Sequence, residues 1–144
     1  MQTVPGRLPL VLNRKFHLAK YEGGHAQLLL RSGRSGYHDG EYLKYDSVAD
    51  VLFKNVAVLA VAESYHPLEV ALGGSTEFAG LHALLNCELG DRKLYVLRSS
   101  FGGPVGYVVA GAVYWTDDPD GSTGAESVLL GGTGRAPGAP VFAA

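Results

Sequence analysis

The longest apolar run in the chain covers residues 105–115 and reads VGYVVAGAVYW. β-branched and aromatic residues dominate this run, and it carries no charge. Side chains of these types pack well on a pleated surface, so the run predicts a central strand, with a sheet as the organising element. Gly106 and Gly111 within the run predict bulges or close approaches of another backbone.

Shorter runs of alternating or apolar positions predict further strands between turn signals. Residues 14–21 and 25–31 are predicted to form a hairpin around a Glu-Gly-Gly turn. On its second strand, Leu28 and Leu30 are expected to face the core, and Leu29 to face outward or a second layer. The other predicted strands cover residues 55–62, 68–72, 93–98 and 126–130.

Two segments allow more than one interpretation. Residues 76–88 are the best helix candidate, because apolar positions recur at helical spacing and Ser75 or Thr76 can cap the helix. A strand over residues 79–87 is the alternative. Residues 41–54 are rich in β-branched and aromatic side chains, which favours a strand or irregular segment over a short helix.

Glycine and proline mark the remaining segments. Residues 32–40 hold three glycines and are predicted to be a loop, and residues 55–62 are apolar on both faces and are expected to be covered on both. The pattern predicts one β-rich domain over residues 1–130, followed by a flexible tail at 131–144 unless Val141 and Phe142 dock it. The fold class predicted is mainly β: an antiparallel β-sandwich or partly open barrel of about seven to eight strands with at most one short helix.

Composition narrows the class of protein. Apolar residues make up 47% of the chain and charged residues 18%, which is typical of a globular domain. The formal net charge of −2 argues against a nucleic-acid binder, because neutralising phosphates requires clustered Lys and Arg. No apolar run approaches the roughly 20 residues of a membrane span, and no signal-peptide pattern is present. With Cys87 as the sole cysteine, the expected location is cytoplasmic.

The candidate chemistry is sparse. The five histidines are at least eight positions apart, whereas zinc ligands usually include a closely spaced pair. The acidic turn at 117–121 lacks the glutamate that would complete a calcium loop. The sequence therefore predicts no metal site and no cofactor, and it nominates no catalytic residue.

Aromatic side chains in or beside predicted loops are the better candidates for a site. Tyr and Arg outside a core are typical anchors for partner recognition, because they give a large contact area at low entropic cost. Ordinary packing at the ends of the sheets is the alternative. The candidate partner-binding residues are Arg34, Tyr37, His38, Tyr42, Tyr65 and His66.

Residues 45–70 carry a resemblance at the level of pattern. An aspartate-hydrophobic-phenylalanine strand (YDSVADVLFKNV) is followed by an apolar strand and then by a Leu-Glu-Val strand. This order resembles small bacterial β-rich domains of uncharacterised function, some of which are grouped with immunity proteins of polymorphic toxin systems. The resemblance implies a non-catalytic protein and assigns no functional residue.

The function predicted is therefore protein interaction without catalysis, of an inhibitory or immunity type. Self-association into a homodimer is a companion prediction, because an open sheet leaves edges that a dimer can cover. One alternative is a β-barrel that binds a small apolar ligand in the room beside Gly106 and Gly111. The other is a metal-dependent hydrolase built around His25, His38 and nearby acids.

Overall fold

Two β-sheets pack face to face in the computed structural model, which describes residues 3–99, 102–121, 127, 129 and 140–144. One helix, α1 (Ser75–Leu85), accompanies them in the described part of the chain. The strands are β1 (Thr3–Pro5), β2 (Leu10–Leu12), β3 (Phe16–Glu22), β4 (Gln27–Ser32), β5 (Ser35–His38), β6 (Glu41–Lys44), β7 (Val48–Lys54), β8 (Val58–Ala60), β9 (Ser64–Tyr65), β10 (Leu68–Leu72), β11 (Lys93–Arg98), β12 (Val105–Ala110), β13 (Ala112–Asp118) and β14 (Val141–Ala143).

The strands divide into three sheets. A seven-stranded sheet has the order β1-β14-β13-β7-β4-β3-β9, and a five-stranded sheet has the order β2-β10-β11-β12-β8. β5 and β6 pair only with each other, as a hairpin outside both large sheets. β1 and β14 run parallel, whereas the other described pairs are antiparallel. The predicted mainly β fold with one helix is confirmed.

The main core lies between the two large sheets, because each contributes one apolar face to a single buried cluster. Aromatic rings fill its centre, and Phe53 meets Tyr95 edge to face with ring centroids 5.4 Å apart. Leu28 and Leu30 belong to this cluster, as the sequence predicted. Burying a side chain of this size stabilises the fold by about 1.5–3 kcal/mol.

The outer face of each large sheet is also covered. Leu29 packs with Leu52, Leu129 and Val141 on the outer face of the seven-stranded sheet, so it points away from the main core, as both predicted alternatives required. On the far side of the five-stranded sheet, α1 buries Leu81 in another apolar cluster. The molecule therefore has apolar packing on both faces of both sheets, and its interior serves cohesion.

The run at 105–115 does not form one strand. It breaks at Gly111 into β12, in the five-stranded sheet, and β13, in the seven-stranded sheet. The Gly111 N–H donates to the carbonyl oxygen of Lys54 at 2.9 Å, where β7 ends and the chain crosses toward β8. A Cβ on Gly111 would lie 3.1 Å from the Asn55 Cβ, so the close approach predicted at this glycine is confirmed. The chain therefore crosses between the two large sheets twice at this corner, once from β7 to β8 and once from β12 to β13.

Helix α1 begins one residue before the predicted segment and ends earlier. Its N-cap is Gly74, not Ser75 or Thr76, and the Glu77 carboxylate accepts a hydrogen bond from the Gly74 N–H at 3.1 Å. This carboxylate in the first turn also interacts favourably with the helix dipole. The helix interpretation of 76–88 is thus confirmed over most of its length, and the strand alternative is wrong.

Two other predictions need correction, whereas the strand interpretation of residues 41–54 is confirmed, as the two strands β6 and β7. The predicted strand at 55–62 shrinks to the short edge strand β8. The last residues of the predicted tail at 131–144 are not a flexible tail. They form β14, which pairs with both β1 and β13 and buries Val141. Residues 131–139 lie outside the described residues, and so does most of the strand predicted at 126–130.

Candidate functional site

The hairpin β5–β6 is the main feature that stands apart from the packed sheets. Its two-residue turn is Asp39 and Gly40, both with positive φ (51° and 80°), which is the backbone of the tight turns that match strand twist. The predicted loop at 32–40 is therefore wrong over its second half. An Asp-Gly dipeptide between alternating residues was the signal that could have identified the hairpin.

The register gives the hairpin two different faces. Tyr37 lies directly opposite Tyr42, so both rings point to the same side. Tyr37 is 65% exposed and Tyr42 55%, and their ring centroids are 5.3 Å apart. Ser35 and Lys44 form the next exposed pair on this side. We call these four residues the tyrosine face.

The base of the hairpin is locked by two arginines. The Arg34 Nε donates to the Gly121 carbonyl oxygen at 2.7 Å, and its Nη1 donates to the Asp46 carbonyl oxygen at 2.8 Å. Arg14 donates to both the hydroxyl and the carbonyl oxygen of Ser47 at 2.8 Å, and its guanidinium stacks 4.3 Å from the Tyr45 ring centroid. Arg34 thus positions the hairpin, whereas the tyrosine face is exposed.

The outer half of the hairpin meets the body through different contacts. The ring of His38 stacks on that of His66 at a centroid distance of 4.5 Å and an interplanar angle of 9°. The Lys15 Nζ donates to the Tyr37 carbonyl oxygen. Burial, reinforced by the nearby His38 and Lys15, lowers the pKa of His66, and the carboxylates of the hairpin oppose this shift only partly.

Tyr65 is the one predicted site residue that the structure withdraws from the surface. It is 1% exposed, and its Oη accepts a hydrogen bond from the Ala62 N–H at 2.8 Å. Burial raises the pKa of this hydroxyl. Gly106 leaves the space that the Tyr65 hydroxyl fills, because a Cβ there would overlap it. Tyr65 therefore belongs to the core, and the space beside Gly106 is not available to a ligand.

A cleft of about 250 Å³ separates the hairpin from the edge of the seven-stranded sheet. Burial, and then the charges of Arg31 and Lys15, lower the pKa of His17 in this cleft. Sequence reasoning missed Lys15, which joins the cleft to the hairpin, because an isolated lysine carries no motif. The cleft is lined by Lys15, His17, Gly33, Ser35, Gly36, Tyr37, Leu43, Tyr45, Glu63 and Ser64.

A second concavity, of about 420 Å³, lies between α1 and the strands β8 and β12. Its lining is largely apolar and includes Leu81, Leu84 and Tyr107. Leu84 is 80% exposed, which is unusual for a large aliphatic side chain beside a groove. This groove, which lies outside the packed interior, could hold an apolar molecule.

The histidines of the predicted hydrolase do not converge. His25 Nε2 lies 3.4 Å from Glu22 Oε1 at the β3–β4 turn, whereas His38 Nε2 lies 3.5 Å from its neighbour Asp39 Oδ2 on the hairpin. Within the described residues, no group of three or more His, Cys, Asp or Glu side chains is placed to hold a metal ion. No helix in the described part of the chain has the length and apolar character needed to span a membrane.

Comparison with known proteins adds no relative. No protein-family model, no curated protein and no solved structure matches this chain. The hairpin and the two concavities are therefore the features from which a function can be inferred.

Proposed function

We propose that this chain is a non-catalytic protein-interaction domain that binds its partner through the tyrosine face. The observation that carries the proposal is the pair Tyr37 and Tyr42, which exposes two neighbouring rings, tilted by 59° to each other, on a hairpin outside both large sheets. Tyr is enriched among the residues that dominate binding energy, because its ring contributes a large apolar area and its hydroxyl a hydrogen bond.

The surroundings of the two rings suggest the chemistry of the partner. Lys44 shares the tyrosine face, and the Lys15 ammonium lies beside the Tyr37 backbone. The carboxylate of Glu41 lies on the opposite side of the hairpin, since it pairs with His38. The face is thus aromatic with a cationic border, which complements a protein surface with an apolar depression rimmed by carboxylates.

The hairpin is also prepared for binding. Its base is fixed by arginine-to-carbonyl hydrogen bonds, so the rings need little ordering when a partner docks.

The proposed role is of the inhibitory or immunity type, and identifying the partner tests this part of the proposal. Self-association through β2 or β8, at the two edges of the five-stranded sheet, is a separate prediction that sedimentation analysis tests.

The test places a photo-crosslinking phenylalanine analogue at Tyr42 and, as a matched control, at Tyr21, which is 44% exposed on β3. We expect position 42 to crosslink one protein from the source cells and position 21 to crosslink none. The Kd for the purified partner should then weaken about 30-fold or more in a Tyr37→Ser, Tyr42→Ser variant, the loss typical of an aromatic hot spot. The proposal is wrong if no crosslink forms at 42, or if this variant binds like Tyr21→Ser.

The groove beside α1 supports a second candidate function, the binding of a small apolar ligand. Its exposed Leu84 and the floor residue Tyr107 are the specific observation in its favour. Binding of a fluorescent fatty acid that is lost in a Leu84→Gln variant would support this candidate. Equal fluorescence with the wild type and with Leu84→Gln would contradict this second candidate function.

A further inference from the structure

The tip of the hairpin meets the body of the protein at two imidazoles. His38 ends β5, and His66 follows β9 directly. Their rings are nearly parallel at 9° with centroids 4.5 Å apart, so they share a face-to-face contact. Such a contact is attractive when the rings are neutral, and it brings two positive charges together when both are protonated.

The groups around His66 favour its neutral form on balance. His66 Nδ1 is buried without a hydrogen-bond partner among the described residues, and its backbone N–H donates to Ser99 Oγ at 3.1 Å. The Lys15 ammonium faces the pair from the body and opposes protonation of His66. Asp39 and Glu41 favour protonation, but Asp39 Oδ2 is already 3.5 Å from His38 Nε2.

The base of the hairpin has no comparable sensitivity. Arg14 and Arg34 hold it by hydrogen bonds to backbone carbonyl oxygens, and a guanidinium keeps its charge at every pH near neutrality. A pH change between 7.5 and 5 therefore acts on the outer half and leaves the base attached.

We propose that the His38–His66 stack is a pH-sensitive latch that seats the tyrosine face at neutral pH and releases the outer half of the hairpin in mild acid. As regulation of partner docking, the latch depends on the proposed function; as a property of the fold, it does not. It predicts that the partner is bound near neutral pH and released near pH 5.

The direction follows from the ionisation of His66. Burial, the neighbouring His38 and Lys15 lower its pKa from the ordinary value of 6.5, so the seated state prefers the neutral ring. Because the pKa of His66 is lower in the seated state than in the released state, the ring stabilises the seated hairpin fully above pH 6.5. This stabilisation is lost as the pH falls from 6.5 through the lower pKa of the seated state. Release is therefore expected below pH 6.5 and not above it.

Nuclear magnetic relaxation of the isolated protein tests the latch without any partner. We expect backbone order parameters of residues 37–42 near 0.85 at pH 7.5 and below about 0.6 at pH 5.0, with β7 unchanged as an internal reference. A His38→Phe variant keeps a flat ring against His66 but carries no charge. It should stay ordered at pH 5.0, and the pKa of its His66, read from the ring proton shift, should rise.

A His25→Phe variant is the matched control, because His25 is exposed at another turn and should behave as the wild type. The latch is refuted if residues 37–42 of the wild type stay ordered at pH 5.0, or if His38→Phe loosens equally. Such a result leaves the crosslinking test at pH 7.5 unaffected. Conversely, a working latch without a crosslink at position 42 would refute the docking proposal alone.

Discussion

The buried ion pair between Arg31 and Asp50 gives the sharpest stability prediction. The Arg31 Nε donates to Asp50 Oδ1 at 2.8 Å and its Nη2 to Oδ2 at 3.1 Å, in a two-pronged geometry. Ser127 Oγ donates to the same Oδ2 at 2.7 Å. Asp50 is 2% exposed and Arg31 8%, so water does not replace these bonds. Asp50→Asn keeps the side-chain volume but removes one negative charge that faces the guanidinium.

Removing one partner of a buried pair costs about 3–5 kcal/mol, because the other charge stays out of water. A domain of this size has a free energy of unfolding of about 5–15 kcal/mol, so the loss is a large fraction of the total. At about 2–4 °C per kcal/mol for this chain length, the Tm should fall by roughly 6–20 °C. Urea unfolding should show a lower midpoint with an unchanged slope.

A matched control uses an exposed pair of the same chemistry. Lys20 Nζ lies 3.5 Å from Glu22 Oε2, with side chains 52% and 37% exposed, and Glu22→Gln should cost no more than about 1 kcal/mol. Replacing both partners, as Arg31→Met with Asp50→Leu, should recover most of the loss. A cost below about 1 kcal/mol for Asp50→Asn would show that solvent reaches the pair, and the burial argument would fail.

Three further predictions concern single positions. Gly106→Ala should destabilise the fold by about 1–3 kcal/mol in urea unfolding, because the new methyl overlaps the Tyr65 hydroxyl, whereas Gly36→Ala enters open space and should change little. Gly80→Ala also meets open space and should raise the free energy of unfolding by about 1 kcal/mol, because alanine is the better helix former in α1. Burial and two neighbouring cations lower the pKa of His17, so its stabilisation is present above pH 6.5 and lost as the pH falls; His17→Gln should flatten that slope in thermal unfolding.

The sequence predicted elements well where the period was visible. Alternation separated Leu28 and Leu30 from Leu29, and the structure puts them in different apolar clusters. The corner at Gly111 was not visible as a corner. Inward positions are Val108 and Ala110 before it but Val113 and Trp115 after it, so the phase shifts by one residue. A run that is apolar throughout cannot display such a shift.

Contacts far apart in sequence account for the other misses. Val141 docks because β1 and β13 lie on either side of β14, and neither neighbour is near it in the chain. Tyr65 sits in a segment whose proline predicts a turn, but it pairs opposite Phe16 on β3 and so enters the core. Local pattern carries no information on such pairings.

The same reasoning explains how much of the candidate site could be predicted. Tyr37, Tyr42 and Tyr65 look alike in the sequence, since each stands near glycine, proline or charged residues. What separates them is the packing of the sheet to which each belongs: Tyr65 has a second sheet opposite it, whereas Tyr37 and Tyr42 on the β5–β6 hairpin are exposed. Packing covers the apolar faces of both large sheets in the described part of the chain, so the proposed partner would meet the hairpin that lies outside these sheets. The Asp-Gly turn that makes this hairpin was therefore the sequence signal that bears most directly on the proposed docking surface.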